Sequence, residues 1–190
     1  MSGPDKQALL IGIDRYLHAE MGNLSGCTND VEAMAAVLRD RFAFPTASIA
    51  ILLNEQATRA AILASLEQLV ARTGADDIVV ISYHGHGSQM TDRSGDEPDG
   101  LDETIAPHDS GRDPHENRDI TDDELEAIVA RLKARSILIV LDSCHSGTAT
   151  RSLDIRTRSV PRDTRTELYR PSGVQTRQVV PVTTARYVLM

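Results

Sequence analysis

Short apolar runs and helical periodicities alternate along the first 150 residues. Leu9 to Ile13 is an apolar run of strand length. Val31, Met34, Ala35, Leu38 and Phe42 then recur at helical spacing, with Asn29 and Glu32 placed to form a capping box. Ile49 to Leu53 reads as a second strand. Thr58 stands where an N-cap belongs, ahead of a helical face of Ile62, Leu66, Leu69 and Val70. Ile78-Val79-Val80-Ile81 is a third strand, and a long acidic loop follows it. Thr121 and Glu124 form another capping box before Leu125, Ile128, Val129 and Leu132, and Ile137 to Leu141 is a last buried strand. Repeated strand-helix-strand units predict an α/β fold: a mainly parallel sheet flanked by helices on both faces, in three layers. Consecutive strands tend to be neighbours, so whatever leaves the third and last strands emerges side by side at the carboxyl edge, where such folds place their chemistry.

Beyond Thr150 the pattern gives way to Arg, Thr, Ser and Pro, with apolar runs returning only at Gln178 to Val182 and Ala185 to Met190. This divides the chain into a body, 1–150, an Arg-rich linker, 151–177, and a segment, 178–190, that reads as the start of a further strand region cut short. Charge follows the same division. Residues 151–190 hold eight Arg against Asp154, Asp163 and Glu167, so they carry +5 of a total of −8, and the body carries −13. A basic segment on an acidic body can be a solvated linker or a nucleic-acid patch, but no aromatic interleaving or binding fold accompanies it, and no nucleic acid partner is expected.

The chain has 190 residues, 41% hydrophobic and 25% charged, which suits one globular domain with a sizeable core. No apolar run approaches the length of a membrane span, and the one near the N-terminus lacks a basic leader and a cleavage site, so a soluble, cytoplasmic protein without a membrane partner is expected. Two cysteines form no disulfide framework, which fits a reducing compartment. Ile11-Gly12-Ile13-Asp14-Arg15 offers a single glycine after the first strand and no loop to cradle a phosphate.

Two strand ends carry the chemistry. The third strand runs into Ser82-Tyr83-His84-Gly85-His86-Gly87, and the last into Asp142-Ser143-Cys144-His145-Ser146-Gly147. Cysteine and histidine on neighbouring strand ends suggest a thiol nucleophile with its acid/base partner, because a free thiol, with a pKa of about 8.5, needs an imidazole to become a thiolate near neutrality. Zinc ligation by His84, His86, Cys144 and His145 is a second reading, although their spacing matches no familiar structural site. A buried structural cysteine is the plainest reading, and it applies also to Cys27.

Four motifs, in order, bear a family resemblance: Leu24-Ser25-Gly26-Cys27-Thr28-Asn29-Asp30, Tyr83-x-Gly85-His86-Gly87, Asp99 to Pro107, and Asp142-x-Cys144-His145-Ser146-Gly147. Over roughly residues 7 to 150 the chain resembles the caspase-like cysteine peptidases, in the metacaspase and bacterial orthocaspase branch. The resemblance implies the caspase-like fold, with Cys144 as nucleophile, His86 as general acid/base, and the backbone N–H groups of Gly87 and Cys144 as oxyanion hole. It assigns Asp30 and Asp142 to a pocket for a basic side chain, and with them cleavage after Arg or Lys. Two carboxylates converging on one cleft are satisfied by the forked donors of a guanidinium. Read without the family, Asp30 is a helix-capping residue and Asp142 a strand-end acceptor. His84 stands where the family usually has serine; a neutral imidazole there offers one hydrogen bond, and a protonated one opposes a cationic substrate. His145 is expected to point away.

The family also implies maturation in the linker, so Arg151, Arg156, Arg158, Arg162, Arg165 and Arg170 are self-cleavage candidates, with the small-subunit portion remaining bound as a partner. A catalytically silent caspase-like interaction module is the alternative, which the presence of both His86 and Cys144 argues against. No cofactor is required; calcium is the activator the family suggests, with Asp102, Asp122 and Asp123 as matching acids. The further acid that the family places shortly after the nucleophile is Thr150-Arg151 here. Asp122 and Asp123 also have a plain role as favourable charges in a helix's first turn.

Overall fold

The computed structural model describes residues 5–92, 95, 100–143, 158 and 160–165. Its centre is a four-stranded, wholly parallel sheet of β1 (Lys6–Gly12), β2 (Ile49–Leu53), β3 (Ile78–His84) and β7 (Ser136–Asp142), in the order β2-β1-β3-β7. Between them come α1 (Cys27–Phe42), α2 (Arg59–Arg72) and α3 (Asp122–Val129). Alternation along the strands sorts the core into two faces. Ala8, Leu10 and Val80 meet Val31, Ala35 and Leu38 of α1. Leu9, Ile11, Val79 and Ile81 meet Ile62, Leu66 and Leu69 of α2, with Leu125 and Ile128 of α3 packed against them. Each buried aliphatic side chain contributes about 1.5–3 kcal/mol, whereas an exposed pair such as Arg15–Glu55 is worth at most about 1 kcal/mol. Apolar faces, not ion pairs, therefore hold the three layers together.

Several expected elements are shifted. β1 starts at Lys6 and ends at Gly12, and β3 runs on to His84. Asn29 and Glu32 form no capping box, since α1 begins earlier, after Gly26. Its cap comes from Asp14, just past β1: the carboxylate accepts from the Cys27 and Thr28 N–H groups at 2.9 and 3.1 Å and from the Thr28 hydroxyl at 2.7 Å. Gly12 lets the helix start this close, because a Cβ there would lie 2.8 Å from the Cys27 carbonyl oxygen. Phe42, expected on the buried face, is 58% exposed; the chain turns left-handed at Ala43 (φ 54°) and delivers Phe44 to the core instead. The Thr58 cap and the Thr121/Glu124 capping box both form, with Thr58 accepting from Ala61.

The acidic region after β3 is not a plain loop. β4 (Gly87–Thr91), β5 (Leu101–Ile105) and β6 (Ile120–Thr121) make a small antiparallel sheet that leads directly into α3. Behind it the Asp119 carboxylate, fully buried, accepts from Arg112, Ser110 and Thr104 at 2.8, 2.5 and 3.0 Å. No helix among the described residues is long and apolar enough to cross a membrane.

Candidate active site

β3 and β7 are adjacent, and their register sets His84 opposite Asp142, so the two chemical strand ends do emerge together. Past His84 the chain makes a tight turn packed on two tyrosines. A Cβ at Gly85 would lie 2.5 Å from the Tyr83 hydroxyl and 3.0 Å from that of Tyr16. The Tyr83 hydroxyl also lies 2.7 Å from the His86 carbonyl oxygen, while the His86 N–H donates to the Tyr16 hydroxyl at 2.7 Å. Burial drives both phenols far above their ordinary pKa, so they remain neutral anchors of the His86 backbone.

The His86 ring packs against Tyr16, centroid to centroid 4.8 Å, and its Nε2 lies 3.1 Å from the Gly22 carbonyl oxygen. A carbonyl can only accept, so Nε2 carries the proton and Nδ1 keeps its lone pair. Nδ1 is buried and has no partner among the described residues. Burial lowers the imidazole's pKa from the ordinary 6.5, which keeps the ring neutral near pH 7. A neutral imidazole with one nitrogen pinned and the other vacant at a strand end is arranged to take a proton from a neighbour.

Asp30, in the first turn of α1, and Asp142, at the end of β7, converge from opposite sides and hold one guanidinium, that of Arg158. Arg158 Nη2 donates to Asp30 Oδ2 at 2.7 Å and Nη1 to Asp142 Oδ2. His84 lines the same pocket, buried, with Nδ1 3.3 Å from Asp142 Oδ2 and 4.0 Å from Asp30 Oδ2. The Arg158 carbonyl oxygen accepts from the Gly87 N–H at 2.9 Å, the donor expected to face an oxyanion. His84 and His86 thus engage different partners, and among the described residues they share no metal-sized cluster. Cys144 and His145 lie outside the described residues, as do Arg151, Arg156, Arg170 and the segment 178–190. Of the other linker arginines, Arg162 is exposed and Arg165 folds onto Asp163 at 2.5 Å. Cys27 is buried beneath the pocket, and that burial pushes its thiol up to about 12, so it stays protonated and packs as a small side chain.

Asp102 lies on β5, and Asp122 and Asp123 open α3. Burial, together with the charges of Glu103 and Asp123, pushes the Asp122 carboxyl up to about 6. Among the described residues the groups with three donor atoms within 4.8 Å are His18, Glu20 and His115, and Asp30, His84 and Asp142; neither includes Asp102, Asp122 or Asp123.

Sequence reasoning missed three contributors. Tyr16 and Gly22 position His86, yet a backbone carbonyl has no side-chain signature and Tyr16 sits in an unpatterned loop. Asp14 fixes the helix that carries Asp30, and its place directly after a strand was the signal available.

Residues 6–153 match the family described as metacaspase, peptidase C14 domain. The chain is similar to metacaspase-1A of Aspergillus oryzae, 36% identical over 152 residues that make up 76% of this chain and 35% of that protein. It is likewise similar to metacaspase-1B of Neurospora crassa, 38% identical over 151 residues, 75% of this chain and 34% of that protein. A crystal structure of a protein from Geobacter sulfurreducens matches with a TM-score of 0.65 at 34% identity, covering 83% of this chain and 58% of that one. The chain spans about a third of the length of the curated relatives it matches.

Proposed function

The chain belongs to the metacaspase, peptidase C14 domain family, and from that premise we propose that it is a cysteine endopeptidase cutting after Arg, and less readily after Lys, with Cys144 as nucleophile and His86 as acid/base. The observation that carries this reading is the His86 imidazole, neutral, held through Nε2 by Gly22, with Nδ1 vacant. Nδ1 takes the Cys144 proton, the thiolate adds to the substrate carbonyl, and the same proton passes to the departing amine. The Gly87 N–H faces the oxygen that becomes negative. Preference for Arg over Lys rests on the pocket: two terminal nitrogens of one guanidinium meet two separate carboxylates, which a single ammonium cannot span in the same way. A reducing cytoplasm suits a mechanism that depends on a free thiol.

Hydrolysis of matched peptides ending in Arg, Lys, Asp or Ala tests the reading. The expected order is Arg, then Lys, with Asp and Ala far behind; equal rates for all four, or none for any, sink it.

Calcium activation is a separate proposal, supported by the raised Asp122 carboxyl and not by any gathering of the three acids' donor atoms. Asp102, Asp122 and Asp123 would hold the ion, whose charge would offset the burial, and the repulsion from Glu103 and Asp123, that raise Asp122. Because the folded carboxyl keeps its proton to a higher pH than the ordinary 3.8, stability is lost as pH rises from 3.8 through about 6. Calcium should restore it, so the gain in Tm on adding calcium should be larger at pH 7 than at pH 5 and vanish in Asp122→Asn. A Tm indifferent to calcium at both pH values removes the ion from this account.

A further inference from the structure

The loop after β1 and the loop between β5 and β6 are tied together. The Leu17 N–H donates to the His108 carbonyl at 2.9 Å, His108 Nδ1 donates to the Arg15 carbonyl at 2.7 Å, and the Arg112 N–H donates to Glu20 Oε1 at 3.2 Å. On this frame three side chains converge that the proposed mechanism does not use. His18 and His115 stack, ring centroids 4.0 Å apart and 23° from parallel, and His115 Nδ1 lies 2.7 Å from Glu20 Oε1. Gly111 makes this approach possible, since a Cβ there would lie 2.5 Å from His115 Cβ and 2.9 Å from His18 Cδ2. One donor atom from each of His18, Glu20 and His115 lies within 4.8 Å of the other two.

We propose that His18, Glu20 and His115 form a binding site for a divalent transition-metal ion, zinc above all. Imidazoles with one carboxylate suit zinc and its neighbours, whereas calcium and magnesium call for shells of oxygen. Two histidines and a glutamate supply three protein ligands and leave a fourth position for water. At zinc's bond lengths the ligand atoms of a tetrahedron stand about 3.4 Å apart, so small side-chain rotations close the three donors on the ion. His115 is exposed and His18 half-buried, which gives the rings room to fan out of their stack and turn nitrogens inward. Glu20 is ionised beforehand: hydrogen bonds from its own backbone, from Arg112 and from His115 hold its carboxyl down at about 2. A carboxylate only accepts, so the proton between it and His115 sits on Nδ1. The metal takes that place, and the imidazole carries its proton on Nε2 instead.

A single turn, Ala19–Met21, joins this site to the candidate base. The His18 and Ala19 carbonyls accept from the Met21 and Gly22 N–H groups, each at 3.1 Å, and the Gly22 carbonyl is the one that holds His86 Nε2. An ion fastening His18 and Glu20 to His115 therefore stiffens the turn that presents that carbonyl. The site and its hold on the turn stand apart from the peptidase reading, since neither needs a catalytic thiol.

Calorimetric titration of the full chain with zinc chloride tests the site, using Cys144→Ala protein so that no Cys144 thiolate competes. One equivalent should bind, and a large excess of calcium should not displace it. Losing a mere supporting partner of a zinc ligand costs about 10–100-fold in affinity, so His18→Gln and His115→Gln should each cost at least that much, while Asp30→Asn, in the other cluster of possible ligands, should cost nothing. No zinc bound, zinc bound equally by the histidine variants, zinc lost with Asp30→Asn, or zinc displaced by calcium overturns the site. Amide hydrogen exchange, which needs no histidine variant, reads the turn: zinc should slow exchange at Met21 and Gly22. Zinc held through His18 and His115 with those amides unchanged keeps the site and overturns its hold on the turn. A wild type that hydrolyses no peptide would sink the peptidase reading and leave both results standing.

Discussion

His86→Ala should lower kcat/KM for an Arg peptide by about 10²–10⁴, the usual worth of a positioned acid/base, while leaving the fold in place. The loss has a specific cause. Nε2 is committed to the Gly22 carbonyl, and Nδ1 is the vacant base for the thiol proton. Thermal melting should show a folded protein, because the backbone contacts of His86 to Tyr16 and Ala106 do not involve the ring. Burial favours the neutral imidazole, and the sign of that shift gives a second readout. In the wild type the acid limb of kcat/KM should fall below pH 6.5, since the working base stays unprotonated to a lower pH than a free imidazole. Cys144→Ala should be at least as damaging. Wild-type turnover by either variant would remove the dyad.

Replacing the pocket acids should cost selectivity, not chemistry. Truncating one partner of a desolvated ion pair costs about 2–5 kcal/mol, but Asp30 and Asp142 are each nearly half exposed and water screens them. Screening brings the loss below that range, to about 1–2 kcal/mol, or roughly five- to thirtyfold in kcat/KM for Arg peptides. Asp30→Asn is the cleaner variant, because Asp142 also lies against His84. A peptide with citrulline in place of Arg should be cut at the same rate by Asp30→Asn and the wild type. Parallel losses on both peptides would mean that the carboxylate positions the helix and does not read charge. The double variant should lose less than the two single losses combined, since both acids hold one guanidinium.

Much of this was legible because the central layers obey simple periodicities. Four apolar runs became the four strands of the parallel sheet, and their order in sequence put His84 against Asp142 as neighbouring crossovers predict. Thr121 and Glu124 could be read as a capping box because the whole device lies within four residues. The cap of α1 could not, since its acceptor, Asp14, is thirteen residues before Cys27 and only the fold brings them together. β4 and β5 escaped for a related reason. Gly87-Ser-Gln-Met-Thr and Leu101-Asp-Glu-Thr-Ile are polar, short and separated by an acidic stretch, so neither shows the apolar signal of a buried strand. The pocket's occupant lay beyond any pattern: eight arginines after Thr150 look alike in sequence, and the geometry at Gly87 sets Arg158 apart from Arg162 and Arg165, the others among the described residues.

The small antiparallel sheet begins at β4, an outermost strand, and the stretch from Val160 to Asp163 lies along it. Outermost strands with open N–H and C=O groups are templates for pairing with other chains, and proteins guard against this by covering them. Here the guard is the stretch from Val160 to Asp163, just after Arg158. Loss of that stretch together with Arg158 would therefore do more than vacate the acidic pocket. It would leave the Gly87 and Gln89 backbone groups seeking partners, and the molecule would become adhesive towards its own copies, in proportion to their concentration, right beside the acidic pocket.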